Sequence, residues 1–173
     1  MGKKGIVKQH IVAVLVENRA GTLSRVSGLF SRRGFNIDSL TVGETEDPSI
    51  SRMTIAVTGE ERVLDQIIKQ LEKLVDVIAV RGLDSGTCLR REIMLVKTGV
   101  DEKNRQAVLE IAGIFRARIV DVSQTTVTIE ATGNMEKLNG LLLLLRPYGI
   151  LELARTGLVA LERGANQLTV NSQ

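Results

Sequence analysis

The chain has 173 residues and a net charge of +3, and the apolar residues at 43% of its positions can build one core or two small ones. Aromatic residues account for only 2%, so a core must consist mainly of Val, Ile and Leu, and the single cysteine excludes a disulfide framework or a Cys-rich metal site within one chain. Basic and acidic residues are interspersed, which argues against nucleic acid as a partner.

The sequence predicts neither export nor a membrane span. Residues 1–8 are too polar for a signal peptide, and the longest leucine run, at 141–145, is far shorter than the roughly 20 residues that a spanning helix needs. One unpaired cysteine fits a reducing compartment, so we expect a cytoplasmic protein without a membrane partner.

The first half of the chain predicts six elements in the order β-α-β-β-α-β. Strands are indicated by aliphatic runs or period-two alternation, and helices by apolar residues at i, i+3, i+4 and i+7. The predicted bounds are strand 10–17, helix 22–33, strand 36–42, strand 50–58, helix 60–74 and strand 77–83. Gly34 follows the first helix at the position where glycine commonly ends one.

The second half repeats this order. Its predicted elements are strand 92–97, helix 102–115, strand 118–123, strand 126–131, helix 135–146 and strand 150–161. The repeat predicts an α+β fold of two tandem ferredoxin-like βαββαβ domains. We place the first domain at 9–84, a connector at 85–91, the second domain at 92–164 and a polar tail at 165–173.

No combination of residues in the sequence predicts a catalytic or metal site. His10 is the only histidine and Cys88 lies in the connector, so neither a triad nor a metal cluster has its parts. The predicted central strands carry no aromatic residue on which an RNA base would stack. The remaining ligands to consider are small molecules.

One turn does predict binding chemistry. Asn18 and Gly21 begin and end the connection between the first strand and the first helix. The N–H groups that open a helix lack intrahelical partners and carry partial positive charge, and glycine lets a ligand approach the backbone closely. The pattern indicates capture of a small carboxylate, although a tight connection alone would also explain these residues.

Asn36 adds to the case for binding. It begins the predicted second strand, which is an edge strand in a ferredoxin-like sheet, and an exposed edge favours pairing with a second copy. Such a homodimer would place Asn36 of one copy near the Gly21 turn of the other.

Several segments together resemble a known family, the regulatory small subunit of acetolactate synthase (acetohydroxyacid synthase), whose first domain is an ACT domain. The matching segments are residues 16–26, 28–42, 47–55, 70–77 and 91–97. The resemblance runs from about residue 9 to residue 164 and thins over 132–151.

The resemblance implies a subunit that has no catalytic residue of its own. In this family a large catalytic subunit carries thiamine diphosphate, a divalent metal and FAD, and no cofactor is expected on the present chain. The small subunit activates the large subunit and confers feedback inhibition by valine, or by leucine or isoleucine. ACT domains of two copies form the dimer.

Carrying the family's effector site over by position implies six residues here. They are Asn18, Gly21, Thr22 and Leu23 of one copy, with Asn36 and Ile37 of the other. Residues 98–105 of the second domain lack an Asn-x-x-Gly turn, so no equivalent site is expected there. A stand-alone amino-acid sensor that regulates a different enzyme remains the alternative.

Overall fold

The computed structural model describes residues 6–170. The chain divides into two compact units, of which the first comprises the chain up to Leu89 and resumes at Leu158, while the second comprises Arg90–Gly157. Each unit contains an antiparallel sheet with two helices, which confirms the predicted α+β class and the tandem βαββαβ order.

The first unit contains a four-stranded sheet in the order β2-β3-β1-β4. Its elements are β1 Lys8–Glu17, α1 Thr22–Arg33, β2 Ser39–Glu44, β3 Ile50–Gly59, α2 Glu61–Leu71 and β4 Val77–Leu83. β2 forms one edge, as the sequence predicted. α2 ends three residues earlier than predicted, and the turn that follows leads through Asp76 into β4.

The helices cover one face of this sheet. Val12, Val14 and Val16 of β1 pack on that side with Val26 and Phe30 of α1, and all five side chains are at most 1% exposed. The stripe of apolar residues that predicted α1 is therefore the stripe that the sheet buries.

The other face of the sheet is covered by the end of the chain. Ile11 and Ala13 of β1 point away from the helices and pack with Leu158 and Ala160, which are 5% and 4% exposed. Arg52 donates from Nη2 to the Ala160 carbonyl at 2.9 Å. This segment explains why the middle of β1 is apolar on both faces.

The predicted single strand at 150–161 is wrong. The structure has two strands there, β8 Ile150–Arg155 and β9 Val159–Glu162, separated by Gly157 with φ of +81°. The strand β5, Cys88–Gly99, begins inside the predicted connector. The sequence placed the second domain at 92–164. The second compact unit ends at Gly157, since residues from Leu158 on pack into the first unit.

The second unit has the sheet order β6-β7-β5-β8. Besides β5 and β8, its elements are α3 Arg105–Ile114, β6 Arg118–Val122, β7 Thr126–Gly133, α4 Met135–Leu145 and a 3-10 turn at Arg146–Tyr148. Its core consists mostly of aliphatic residues on β5, β7, α3 and α4. Among residues 6–170, no helix has both the length and the apolar content to cross a membrane.

Leu158→Ala tests whether the returning segment stabilises the first unit. Removing a leucine that is 5% exposed should lower the free energy of unfolding by about 2–3 kcal/mol. Chemical denaturation measures the change. Leu161→Ala in the same segment, where the side chain is 57% exposed, is the matched control and should change stability by less than about 0.5 kcal/mol. Equal losses in the two variants would contradict the packing seen here.

Candidate functional site

Gly21 holds the connection between β1 and α1 in a conformation that other residues rarely adopt. Its φ is +86°, in the left-handed region where a Cβ is disfavoured. A Cβ built on Gly21 would also lie 3.1 Å from Nη1 of Arg25. The backbone conformation therefore favours glycine here, and a larger residue would also require the Arg25 side chain to shift slightly.

The start of α1 is open to a ligand. Gly21 at its N-cap provides no side-chain hydrogen bond, and the first turn contains no acidic residue. The Thr22 N–H donates to the Arg19 carbonyl at 3.3 Å, while the N–H groups of Leu23 and Ser24 have no acceptor within residues 6–170. Two adjacent free donors at a helix N-terminus suit a carboxylate.

Thr22 and Leu23 face opposite ways. Thr22 is 3% exposed, and its hydroxyl is buried without a hydrogen-bond partner in the described part of the chain. Leu23 is 45% exposed. Of these two predicted residues, only Leu23 offers its side chain at the surface of the single chain.

Asn18 uses its amide hydrogens to fix the turn. Its Nδ2 donates to Oε1 of Glu44 at 3.0 Å and to the Pro48 carbonyl at 2.8 Å, and its backbone N–H donates to the Ser49 carbonyl at 2.7 Å. The carboxamide oxygen is left as an acceptor, which suits an ammonium group rather than a carboxylate.

Asn36 and Ile37 lie before β2 rather than inside it, so the predicted start of that strand is wrong. The exposed Asn36 donates from Nδ2 to Oδ1 of Asp38 at 3.3 Å, and Asp38 accepts from the Thr58 hydroxyl at 2.7 Å. These side-chain contacts, together with the hydrogen bond from the Asp38 N–H to the Ala56 carbonyl at 2.9 Å, fix the segment that leads into β2. Ile37 packs partly against the helix-side core.

The structure brings Asn18, Gly21, Thr22 and Leu23 together in one turn but places Asn36 and Ile37 beyond the far end of α1. The 12 residues of that helix span about 18 Å. A site containing both groups therefore needs Asn36 and Ile37 from a second copy, as the prediction assumed.

Arg25 and Asp76 were missed by the sequence analysis. Arg25 donates to Asp76 through Nε and through Nη2, the latter at 2.9 Å to Oδ1. Asp76 is 5% exposed, and its carbonyl accepts from the Glu17 N–H at 2.9 Å. The hydrogen bond from Arg25 is the main cause that holds the pKa of the Asp76 carboxyl below its ordinary value. The pair is separated by 51 residues, and no local pattern connects them.

The corresponding connection in the second unit is built differently. Oδ1 of Asp101 accepts from the N–H groups of Lys103 and Asn104 at 2.9 and 2.8 Å, and Oδ1 of Asn104 accepts from the Asp101 N–H at 2.7 Å. The turn's own side chains satisfy the amides that precede α3. The Gln106 and Ala107 amides in the first turn of α3 have no acceptor within residues 6–170, so open amides do not by themselves distinguish the two connections.

Both halves match family descriptions. Residues 12–79 match the "AHAS small subunit-like ACT domain", and residues 91–164 match the "Small subunit of acetolactate synthase". A relative named probable acetolactate synthase small subunit, from Methanothermobacter thermautotrophicus, is 51% identical over 92% of this chain and 95% of its own length. The chain belongs to the acetolactate synthase small subunit family.

Other members of the family match this chain over a similar length. The acetolactate synthase isozyme 3 small subunit of Salmonella typhimurium is 50% identical over 90% of this chain and 96% of that protein. A crystal structure of the acetolactate synthase small subunit from Thermotoga maritima has a TM-score of 0.86 and 41% identity, and the match covers 91% of this chain and 98% of that chain. The ACT match includes all six predicted site residues, at 18, 21, 22, 23, 36 and 37.

Asp76→Asn tests the ion pair below the turn. A folded pKa held below the unfolded value adds stability that is present above the unfolded pKa and is lost as the pH falls through the folded pKa. We expect the variant to be less stable than wild type at neutral pH, with the difference shrinking once the pH falls below about 4.

Chemical denaturation across a pH series measures this difference. Asp65→Asn, at an exposed position on α2, is the matched control and should show no such trend. A stability difference between Asp76→Asn and wild type that stays constant with pH would show that the Asp76 charge does not support the fold.

Proposed function

We propose that this chain is the regulatory, non-catalytic subunit of acetolactate synthase in branched-chain amino acid biosynthesis. It binds the catalytic large subunit, raises its activity and makes it sensitive to valine. The observation that carries this proposal is the near full-length similarity to named small subunits, with 51% identity over 95% of one relative's length.

In this proposal the chemistry belongs to the partner. The large subunit carries thiamine diphosphate, a divalent metal and FAD, and it condenses pyruvate with a second 2-keto acid. The present chain contributes no catalytic or cofactor-binding residue. Its task is to bind an end product and transmit that state to the catalytic subunit.

The effector site lies at the Gly21 turn. The effector's carboxylate accepts hydrogen bonds from the free N–H groups of Leu23 and Ser24, and its ammonium donates to the carboxamide oxygen of Asn18. Leu23 contacts the aliphatic side chain, and this contact is supported by its 45% exposure. Asn36 and Ile37 of a second copy complete the site, while the buried Thr22 supports the turn from below.

The homodimer forms through β2. Within residues 6–170 the only strand that pairs with β2 is β3, so β2 lies at an edge of the sheet, where a strand of a second copy can be added. Val42 on this strand is 42% exposed. Pairing of two β2 edges places residues just before β2 of one copy beside the other copy, which is where Asn36 and Ile37 are needed.

Valine acts through linkage. An effector inhibits only if it binds one geometry of the regulatory dimer more tightly than another, and if that geometry activates the large subunit less. Such couplings typically amount to about 1–3 kcal/mol. A stand-alone sensor for another enzyme is less well supported, because residues 91–164 also match the acetolactate synthase small subunit.

Mixing the chain with its cognate large subunit tests the function directly. Acetolactate production should rise when the chain is added, and valine should then lower it, whereas the large subunit alone should respond less to valine. An unchanged rate on mixing, with an active large subunit, would overturn the proposal and favour a sensor of another enzyme.

Gly21→Asp tests the site within the same assay. The new carboxylate would occupy the place of the effector's own carboxylate, so the valine concentration for half-inhibition should rise at least about tenfold, while activation is retained. Gly149→Asp is the matched control, since Gly149 has the same φ of +86° and open space around it but lies in the second unit. Wild-type inhibition in Gly21→Asp would remove the turn from the site.

A further inference from the structure

The guanidinium of Arg25 lies over the Gly21 turn with part of its hydrogen-bonding capacity unused. Asp76 takes Nε and Nη2, and Nη1 has no acceptor within residues 6–170. This free nitrogen is the atom nearest to a Cβ built on Gly21, at 3.1 Å. The Arg25 side chain is 48% exposed, so a ligand from solvent can reach it.

A purely structural role of Arg25 explains its contact with Asp76 but not the position of its Nη1. Asp76 is buried and needs a cation, and Arg25 supplies it through a two-point contact. That contact fixes the plane of the guanidinium and leaves the two N–H groups of Nη1 beside Gly21, the N-cap of α1. Within residues 6–170 three further groups at this turn also have no partner, namely the Leu23 and Ser24 amides and the buried Thr22 hydroxyl.

Another cation on the turn serves as a comparison. Arg19 is paired through Nη1 with Oε2 of Glu17 at 3.0 Å, and its side chain is 71% exposed. No contact among residues 6–170 places Arg19 over Gly21. A carboxylate at the turn would therefore meet a guanidinium that the buried Asp76 fixes at Arg25, and at Arg19 one that is held only by the more exposed Glu17.

We propose that Arg25 binds the carboxylate of the effector through Nη1, and that Asp76 is the positioning residue that aims it. This inference rests on the proposed function, because it assigns a further residue to the same site. A charge-assisted hydrogen bond from a fixed guanidinium favours ligands that carry a carboxylate over those with a neutral carboxamide.

The test compares two ligands on the full-length chain. L-valine and L-valinamide differ only in the carboxylate, and NMR titration measures the weak binding expected of the amide. Arg25→Gln should weaken valine binding about tenfold and valinamide binding less than twofold. Arg25→Lys keeps the positive charge but lacks the forked guanidinium, so its valine affinity should lie between those of wild type and Arg25→Gln. Asp76→Asn should also lower valine affinity.

Arg19→Gln is the matched control, since it removes the same charge from the same turn and should change valine affinity less than twofold. Valine affinity unchanged in Arg25→Gln, or an equal loss for valine and valinamide, would overturn the role of Arg25. Equal losses of valine affinity in Arg19→Gln and Arg25→Gln would show that net charge causes the effect, and would also overturn the role of Arg25. Failure of the wild-type chain to bind valine at all would instead count against the proposed effector site.

Discussion

Burial of β1 on both faces is the constraint on which the rest of the structure depends. Val12, Val14 and Val16 pack against the helices, while Ile11 and Ala13 need a separate cover on the opposite side. Because β1 is apolar on both faces, leaving either face in water would expose apolar area. The two helices supply one cover and the end of the chain supplies the other. The same strand ends at Glu17, whose N–H is held by the Asp76 carbonyl, and so it fixes where the Gly21 turn begins.

The Gly21 turn combines features that have separate physical origins. The left-handed glycine sets the path of the chain, two amides at the start of α1 have no acceptor among residues 6–170, and the Arg25–Asp76 pair fixes a guanidinium over Gly21. In the second unit the side chains of Asp101 and Asn104 fix the comparable connection, and no glycine with positive φ lies just before α3. One fold therefore occurs twice with differently built turns at the same position. The difference lies in the residues of the turn and not in the sheet or the helices.

Periodicity was sufficient to predict most of the elements, including α1 with its end residues and the edge position of β2. Periodicity failed where contacts between residues distant in sequence determine the structure. Leu158 and Ala160 look like a continuation of β8, and only the uncovered face of β1 explains why they belong to the first unit. Asn18, Gly21 and Leu23 are signalled by a short spacing, whereas Arg25 and Asp76 are joined across 51 residues by a contact that no local pattern encodes. Its position at the start of a helix likewise did not predict that Thr22 is buried.

The return of the chain at Leu158 has a consequence for synthesis in the cell. As the polypeptide leaves the ribosome, the first sheet and its helices emerge long before the residues that cover Ile11 and Ala13. Domains that emerge first usually fold first, but the cover of this sheet face is not made until residues 158–160 have been synthesised. The apolar face of the first sheet therefore stays exposed to solvent while residues 90–157 are being synthesised.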